Sequence, residues 1–186
     1  MKDSPPGAGR SSYELINPEI LFRELPLKTG SVFLDLGCGS GDYALEAAAR
    51  GAGMVYGVDL WEEGIAALRQ EASARNLRNV VGLISHLEGR IPLDDHSVDV
   101  CFMATVLHDL VRSNVADKAL DQVKRLLKKE GVLAIVEFKK MDSRPGPPIG
   151  IRLAPEEVEQ IVSPYGLLNR RLVEIGVYHY LIIFSF

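Results

Sequence analysis

The sequence VFLDLGCGSGDYAL, from Val32 to Leu45, passes from an apolar segment through three glycines into an alanine-rich segment. A near-continuous apolar run is typical of a strand buried on both faces, and the segment after the glycines is predicted to be a helix that ends at Gly51. In a parallel sheet, the turn between the first strand and its helix lies at the edge where ligands bind. The stretch therefore predicts a strand, a glycine turn and a helix that together form a ligand site.

Strand-like and helix-like segments alternate along the rest of the chain. Further strands are predicted at MVYGVDL (54–60), NVVGLIS (79–85), SVDVCFMATVL (97–107) and GVLAIVEFKK (131–140). Strands separated by helices, such as the amphipathic helix predicted over residues 114–131, favour parallel pairing with right-handed crossovers. The last two strands, LLNRRLVEIG and VYHYLIIFSF, are joined by too short a link for a helix, so they must form a hairpin. The predicted fold is α/β: a doubly wound, mostly parallel, seven-stranded Rossmann-like sheet that ends in an antiparallel hairpin.

Length and composition restrict the function. The 186 residues, 47% of them hydrophobic, predict a single domain over residues 13–186 behind a flexible leader over residues 1–12. We expect a cytoplasmic protein, because neither a signal peptide nor a membrane span is recognisable. The net charge of −4 makes nucleic acid a poor partner. Cys38 and Cys101 form no structural zinc or disulfide pattern, so any metal would need oxygen ligands. No such ligand set is recognisable, and we expect no metal.

The glycine turn favours a cationic ligand over a phosphate. Gly37, Gly39 and Gly41 allow a ligand to approach the backbone closely. The dinucleotide pattern G-x-G-x-x-G requires a glycine where this chain has Asp42, and the pattern G-x-x-x-x-G-K-[ST] is missing. Asp35, just before the turn, would repel a pyrophosphate and attract an amino group.

A second acid ends the next strand. Asp59 follows Gly41 by eighteen residues, and an acid in this place can accept hydrogen bonds from both ribose hydroxyls. The alternative role for this side chain is to cap the helix that follows. The turn and Asp59 together indicate a nucleoside that carries a cation in place of phosphates.

The segments VFLDLGCGSGDY and VYGVDL resemble the first two motifs of class I S-adenosylmethionine-dependent methyltransferases. The resemblance continues through IPLDDHSVDVCFMATVLHDL and VKRLLKKEGVLAIVEF. It covers residues 17–186 and is greatest with the small ubiquinone/menaquinone-biosynthesis-like (methyltransferase type 11) group. It implies S-adenosylmethionine as cofactor, with the methionine part along the glycine turn and its ammonium group near Asp35. The cofactor-binding residues that it implies are Asp35, Gly37, Cys38, Gly39, Gly41, Asp59, Leu60, Trp61, Leu87, Glu88 and Thr105.

The resemblance also assigns the nucleoside contacts. Asp59 would bind the ribose hydroxyls, and Leu60 and Trp61 would flank the adenine. Family members often carry an acid after the third strand that bonds the adenine amino group. The corresponding position here is Leu87, so either its neighbour Glu88 or a backbone group makes that contact.

The methyl group of a sulfonium is already electrophilic, so such an enzyme mainly aligns the acceptor and excludes water. A base is needed only where the acceptor starts protonated. His108 and Asp109 are the candidate catalytic residues, at the exit of the fourth strand, and Glu137 ends the fifth. A histidine has a suitable pKa for a base, while capping or packing is the alternative role for His108.

We expect a small-molecule acceptor, because no D/N-P-P-Y/F motif of nucleic acid amino-methylating enzymes follows the fourth strand. Two other functions stay open at this stage. One is a noncatalytic S-adenosylmethionine-binding regulatory subunit, and the other is an NAD(P)-dependent oxidoreductase, which Asp42 disfavours. The oligomeric state stays open too.

Overall fold

The computed structural model describes residues 9–142 and 144–186. They form a seven-stranded sheet with helices on both sides, which confirms the predicted fold class. Most of the leader predicted over residues 1–12 lies outside the described residues. The strands are β1 Val32–Leu36, β2 Met54–Asp59, β3 Val80–Ile84, β4 Val98–Ala104, β5 Leu127–Phe138, β6 Leu168–Glu174 and β7 His179–Ser185.

The helices begin and end at residues with the appropriate local chemistry. They are α1 Pro18–Glu24, α2 Asp42–Ala49, α3 Glu62–Ala74, α4 Leu107–Arg112, α5 Ala116–Leu126 and α6 Pro155–Val162. The side chain of Asn17 accepts a hydrogen bond from the backbone N–H of Ile20, and Pro18 occupies the first turn of α1. Lys124 and Arg125 lie in the last turn of α5, where the helix dipole favours cations. None of the helices in the described ranges is long and apolar enough to cross a bilayer.

The strand order determines where the ligand cleft lies. It is β3-β2-β1-β4-β5-β7-β6, with β1 to β5 parallel and β7 antiparallel to both β5 and β6. The connections from β1 lead to one side of the sheet and those from β4 to the other, so the switch point lies between β1 and β4. The turns that follow these two strands therefore meet at the carboxyl edge of the sheet.

Both faces of the sheet are buried. Phe33 belongs to the core cluster formed with α1, α2 and α3, whereas its neighbour Leu34 belongs to the cluster formed with α5 and α6. Successive side chains of a strand point to opposite faces. Burial on both sides explains why the apolar runs of β1, β4 and β5 are nearly continuous.

Two boundaries differ from the sequence-based expectation by three residues or more. The strand predicted over residues 97–107 ends at Ala104, because Thr105 has a φ of +56° and turns the chain into α4. The helix predicted over residues 114–131 ends at Leu126, and Leu127 already pairs with β4 as the first residue of β5. Pairing with a neighbouring strand therefore outweighs the helical preference of the lysines that follow.

Candidate functional site

The three glycines of the turn all have positive φ, at +77° for Gly37, +54° for Gly39 and +87° for Gly41. A Cβ atom at Gly37 would lie 2.5 Å from Cγ2 of Val106, and one at Gly41 would collide with the side chain of Leu68. A Cβ atom at Gly39 would meet nothing within 4 Å. Packing thus explains the first and third glycines, while the middle one leaves open space beside the backbone.

A cleft with about 380 Å³ of empty space, open solvent included, lies over this turn. Its lining brings together five of the residues predicted to bind the cofactor: Gly37, Cys38, Gly39, Trp61 and Thr105. Thr105 is β-branched and holds the left-handed conformation that such residues rarely adopt. Strained conformations of this kind concentrate at functional sites.

Asp59 joins the glycine turn to the start of α3. Its Oδ2 atom accepts a hydrogen bond of 2.8 Å from the backbone N–H of Gly39, and Oδ1 accepts one of 2.8 Å from that of Trp61. Each carboxylate oxygen has a second lone pair that a ligand hydroxyl can use. The side chain therefore binds the backbone at the helix start and keeps spare acceptor capacity. Asp59 is not among the residues that line the cleft, so its contact with ribose hydroxyls stays a prediction.

Asp35 is 1% exposed, and its Oδ2 atom has no hydrogen-bond partner among the described residues. Burial, with the nearby charges of Asp59 and Asp42, raises the pKa of this carboxyl well above its usual value. A buried polar oxygen without a partner is costly. Asp35 does not line the cleft, so its contact with the ammonium group of the cofactor stays a prediction. With Asp59 and Asp42 it makes this region acidic, which suits a cation better than a phosphate.

The residues predicted near the adenine do not all share the cleft. Leu60 is 38% exposed next to Trp61, and Leu87 is buried in the core. The Oε1 atom of Glu88 lies 3.1 Å from Nδ1 of His86. Neither Leu60, Leu87 nor Glu88 is part of the cleft lining, so their contacts with adenine stay predictions.

His108 and Glu137 form a buried pair at the same edge of the sheet. His108 is 5% exposed and Glu137 is 0% exposed. Nδ1 of the imidazole lies 2.8 Å from Oε2 and 3.0 Å from Oε1 of the carboxylate. The backbone N–H groups of His108 and Phe138 donate to the same carboxylate at 3.1 and 3.3 Å. Glu137 thereby fixes both the imidazole ring and the first turn of α4.

The charges around His108 raise its pKa. Burial opposes the charged imidazole, but the hydrogen bond and charge of Glu137, with the charge of Asp109, outweigh burial and raise the pKa above 6.5. Asp109 itself bonds Arg112 at 2.9 Å, and one of its oxygens lies 3.7 Å from Nε2 of His108. Of the two predicted catalytic residues, His108 is paired with Glu137 and Asp109 with Arg112. Neither lines the cleft, so their catalytic roles stay predictions.

Sequence reasoning missed part of the cleft wall. Residues 9–12 and Tyr43 line the cleft together with the glycine turn. The hydroxyl groups of Ser12 and Tyr43 lie 2.8 Å apart and are buried. The polar, glycine-containing composition of residues 9–12 is typical of an exposed leader, so no sequence pattern could place them here.

The strand order and the glycine turn put this chain in the class of doubly wound α/β proteins with a ligand cleft at the switch point. The family described as a methyltransferase domain matches residues 34–135, more than half of the chain. A solved SAM dependent methyltransferase from Aquifex aeolicus is 34% identical with a TM-score of 0.84, over 94% of this chain and 92% of that one. The chain therefore belongs to the methyltransferase domain family.

Two curated relatives carry quinone-related names. The 2-phytyl-1,4-naphtoquinone methyltransferase of Trichormus variabilis is 31% identical over 63% of this chain, and the demethylmenaquinone methyltransferase of Lactobacillus johnsonii is 29% identical over 62%. These matches cover 51% and 47% of the two relatives. The chain thus spans about half the length of the curated relatives it matches.

Proposed function

We propose that this chain transfers the methyl group of S-adenosylmethionine to a small molecule. The observation that carries the proposal is the pair of hydrogen bonds that the Asp59 carboxylate accepts from the backbone N–H groups of Gly39 and Trp61. These bonds join the glycine turn to the start of α3, and the carboxylate oxygens keep free lone pairs for a ligand. Membership of the methyltransferase domain family supports it. When bound, the cofactor supplies an electrophilic methyl group on its sulfonium.

Different residues around the cleft would bind different parts of the cofactor. Asp35 and the turn at Gly39 would hold the methionine part, and Asp59 would accept hydrogen bonds from the ribose hydroxyls. Trp61, together with Leu60, would flank the adenine. Either Glu88 or a backbone group would bond its amino group, as the family resemblance implies.

His108 would act as the base for an acceptor that arrives protonated. Its Nδ1 atom is engaged by Glu137, which leaves Nε2 as the atom that takes the proton. The carboxylate raises the basicity of the ring and sets its orientation, as a buried acid does for other catalytic histidines. Asp109, held by Arg112, would add charge stabilisation next to Nε2.

The acceptor is assigned by class. The two relatives named above carry quinone-related methyltransferase names. Within residues 9–142 and 144–186, no large inserted domain interrupts the sheet. We therefore propose a small organic molecule as acceptor. A cytoplasmic site of action stays a separate prediction from the sequence.

Calorimetry and a transfer assay test the proposal. The wild-type chain should bind S-adenosylmethionine and S-adenosylhomocysteine, and it should transfer a labelled methyl group to a member of a metabolite pool. Tight binding of NADH without either sulfur ligand would contradict the proposal and favour an oxidoreductase. Cofactor binding without transfer to any member of an exhaustive pool would favour a noncatalytic regulatory subunit.

A further inference from the structure

A short segment before the first helix crosses the cleft. We call residues 9–12 the strap. At one end, the side chain of Ser12 is 5% exposed and lies 2.8 Å from the hydroxyl of Tyr43, and the ring of Tyr13 packs edge-on against Tyr43 at 5.1 Å. At the other end, a Cβ atom at Gly9 would lie 3.7 Å from the ring of Trp61. The strap therefore spans from the start of α2 to the second residue after β2.

The strap brings a cation to a site that is otherwise acidic. Asp42 lines the cleft, and the carboxylates of Asp35 and Asp59 lie close enough to act on each other electrostatically. Arg10 is the one Lys or Arg side chain among the described residues that line the cleft. It is exposed, and it makes no hydrogen bond or ion pair within the described ranges. Its guanidinium is thus available to a ligand.

We infer that the strap covers the methyl donor and that Arg10 binds the carboxylate of its methionine part; this inference rests on the proposed function. The amino acid end of the donor carries one ammonium and one carboxylate. The three acids near the turn suit the ammonium but repel the carboxylate, so the anion needs its own cation. Guanidinium groups match carboxylates with two parallel hydrogen bonds. Arg10 supplies that cation from the strap, which lines the same cleft.

A matched pair of ligands isolates the carboxylate. S-adenosylmethionine and decarboxylated S-adenosylmethionine share the sulfonium, the ammonium and the nucleoside, and they differ only in the carboxylate. Calorimetry on the full chain should show that Arg10→Ala weakens binding of S-adenosylmethionine by about tenfold, the lower end for a hydrogen-bonded charge pair at an exposed site. Binding of the decarboxylated ligand should stay unchanged. Arg10→Lys should recover part of the lost affinity.

Controls separate this assignment from general damage. Arg78→Ala removes an exposed arginine in the turn before β3, away from the cleft, and should change neither affinity. Arg10→Gln keeps much of the side-chain bulk and should repeat the selective loss at an unchanged melting temperature. Equal losses for both ligands, or no loss for either, would overturn the role of Arg10 while the proposed function stands. A wild-type chain that binds neither ligand would overturn both.

Discussion

Replacing His108 by alanine should strongly destabilise the fold, because it removes the side-chain partner of a buried carboxylate. Glu137 is 0% exposed and accepts from the imidazole at 2.8 Å. Removing one partner of a buried ion pair costs about 3–5 kcal/mol. Two backbone N–H donors remain on the carboxylate in the variant. We therefore expect His108→Ala to lower the free energy of unfolding by about 3 kcal/mol, the lower end of that range.

Urea unfolding followed by circular dichroism measures this loss. The double variant His108→Ala/Glu137→Gln serves as the control, because a neutral amide is cheaper to bury than an unpaired carboxylate. It should be more stable than His108→Ala alone. A loss below about 1 kcal/mol, typical of an exposed pair, would refute the account of His108 and Glu137 as a buried ion pair.

The same pair predicts a pH dependence. The pKa of His108 is raised above 6.5 in the folded chain, so the charged pair contributes its full stability below the unfolded pKa and loses it as the pH rises through the folded pKa. The neutral imidazole still donates from Nδ1, so the loss is partial. The destabilisation by His108→Ala should therefore be larger at about pH 6 than at about pH 9. An opposite trend would show that Glu137 does not raise the pKa.

Three further predictions concern the cleft and its support. Gly39→Ala and Gly51→Ala both place alanine at positive φ in open space, so each should cost about 1–2 kcal/mol in urea unfolding. Only Gly39→Ala should abolish binding of S-adenosylhomocysteine in calorimetry. Equal binding by both variants would show that the glycine turn does not contact the ligand. Asp59→Ala should weaken that binding by about 1–3 kcal/mol. Unchanged affinity would show that a residue other than Asp59 binds the ribose hydroxyls. Arg152 is 2% exposed and donates to backbone carbonyls of the loop over residues 139–152, so Arg152→Ala should expose that loop to limited proteolysis; resistance equal to wild type would contradict its role.

The local elements of this fold could be predicted from the sequence. The order of strand, glycine turn and helix at residues 32–49 depends on residues that are near in the chain, as does the link between β6 and β7. The junction after β4 could not be predicted in this way. The segment MATVLHDL is apolar enough to continue a strand, and only the left-handed conformation of Thr105 separates β4 from α4. That conformation depends on packing against β5, where the N–H of Thr105 bonds the carbonyl of Val136 at 2.8 Å.

Contacts between distant residues explain what was missed in the site. His108 and Glu137 are 29 residues apart, so each was a candidate on its own and their pairing followed only from the register of β4 and β5. Arg152 lies in a Pro/Gly-rich segment, and its guanidinium is buried over the ring of Phe138. His179 is fully buried against the same ring, and burial lowers its pKa to about 4. The guanidinium of Arg152 is buried because backbone carbonyls converge on it, and no short sequence pattern encodes that arrangement.

The most direct test of the donor site uses the chain's own fluorescence. Trp61 is the only tryptophan in the sequence, and it lines the cleft next to the backbone that Asp59 holds. Titration with S-adenosylhomocysteine should change its emission in a saturable way, Asp59→Ala should need more ligand for the same change, and NADH should give no saturable change. A titration in which S-adenosylhomocysteine gives no saturable signal, with calorimetry also showing no binding, would contradict the assignment of this cleft to the methyl donor.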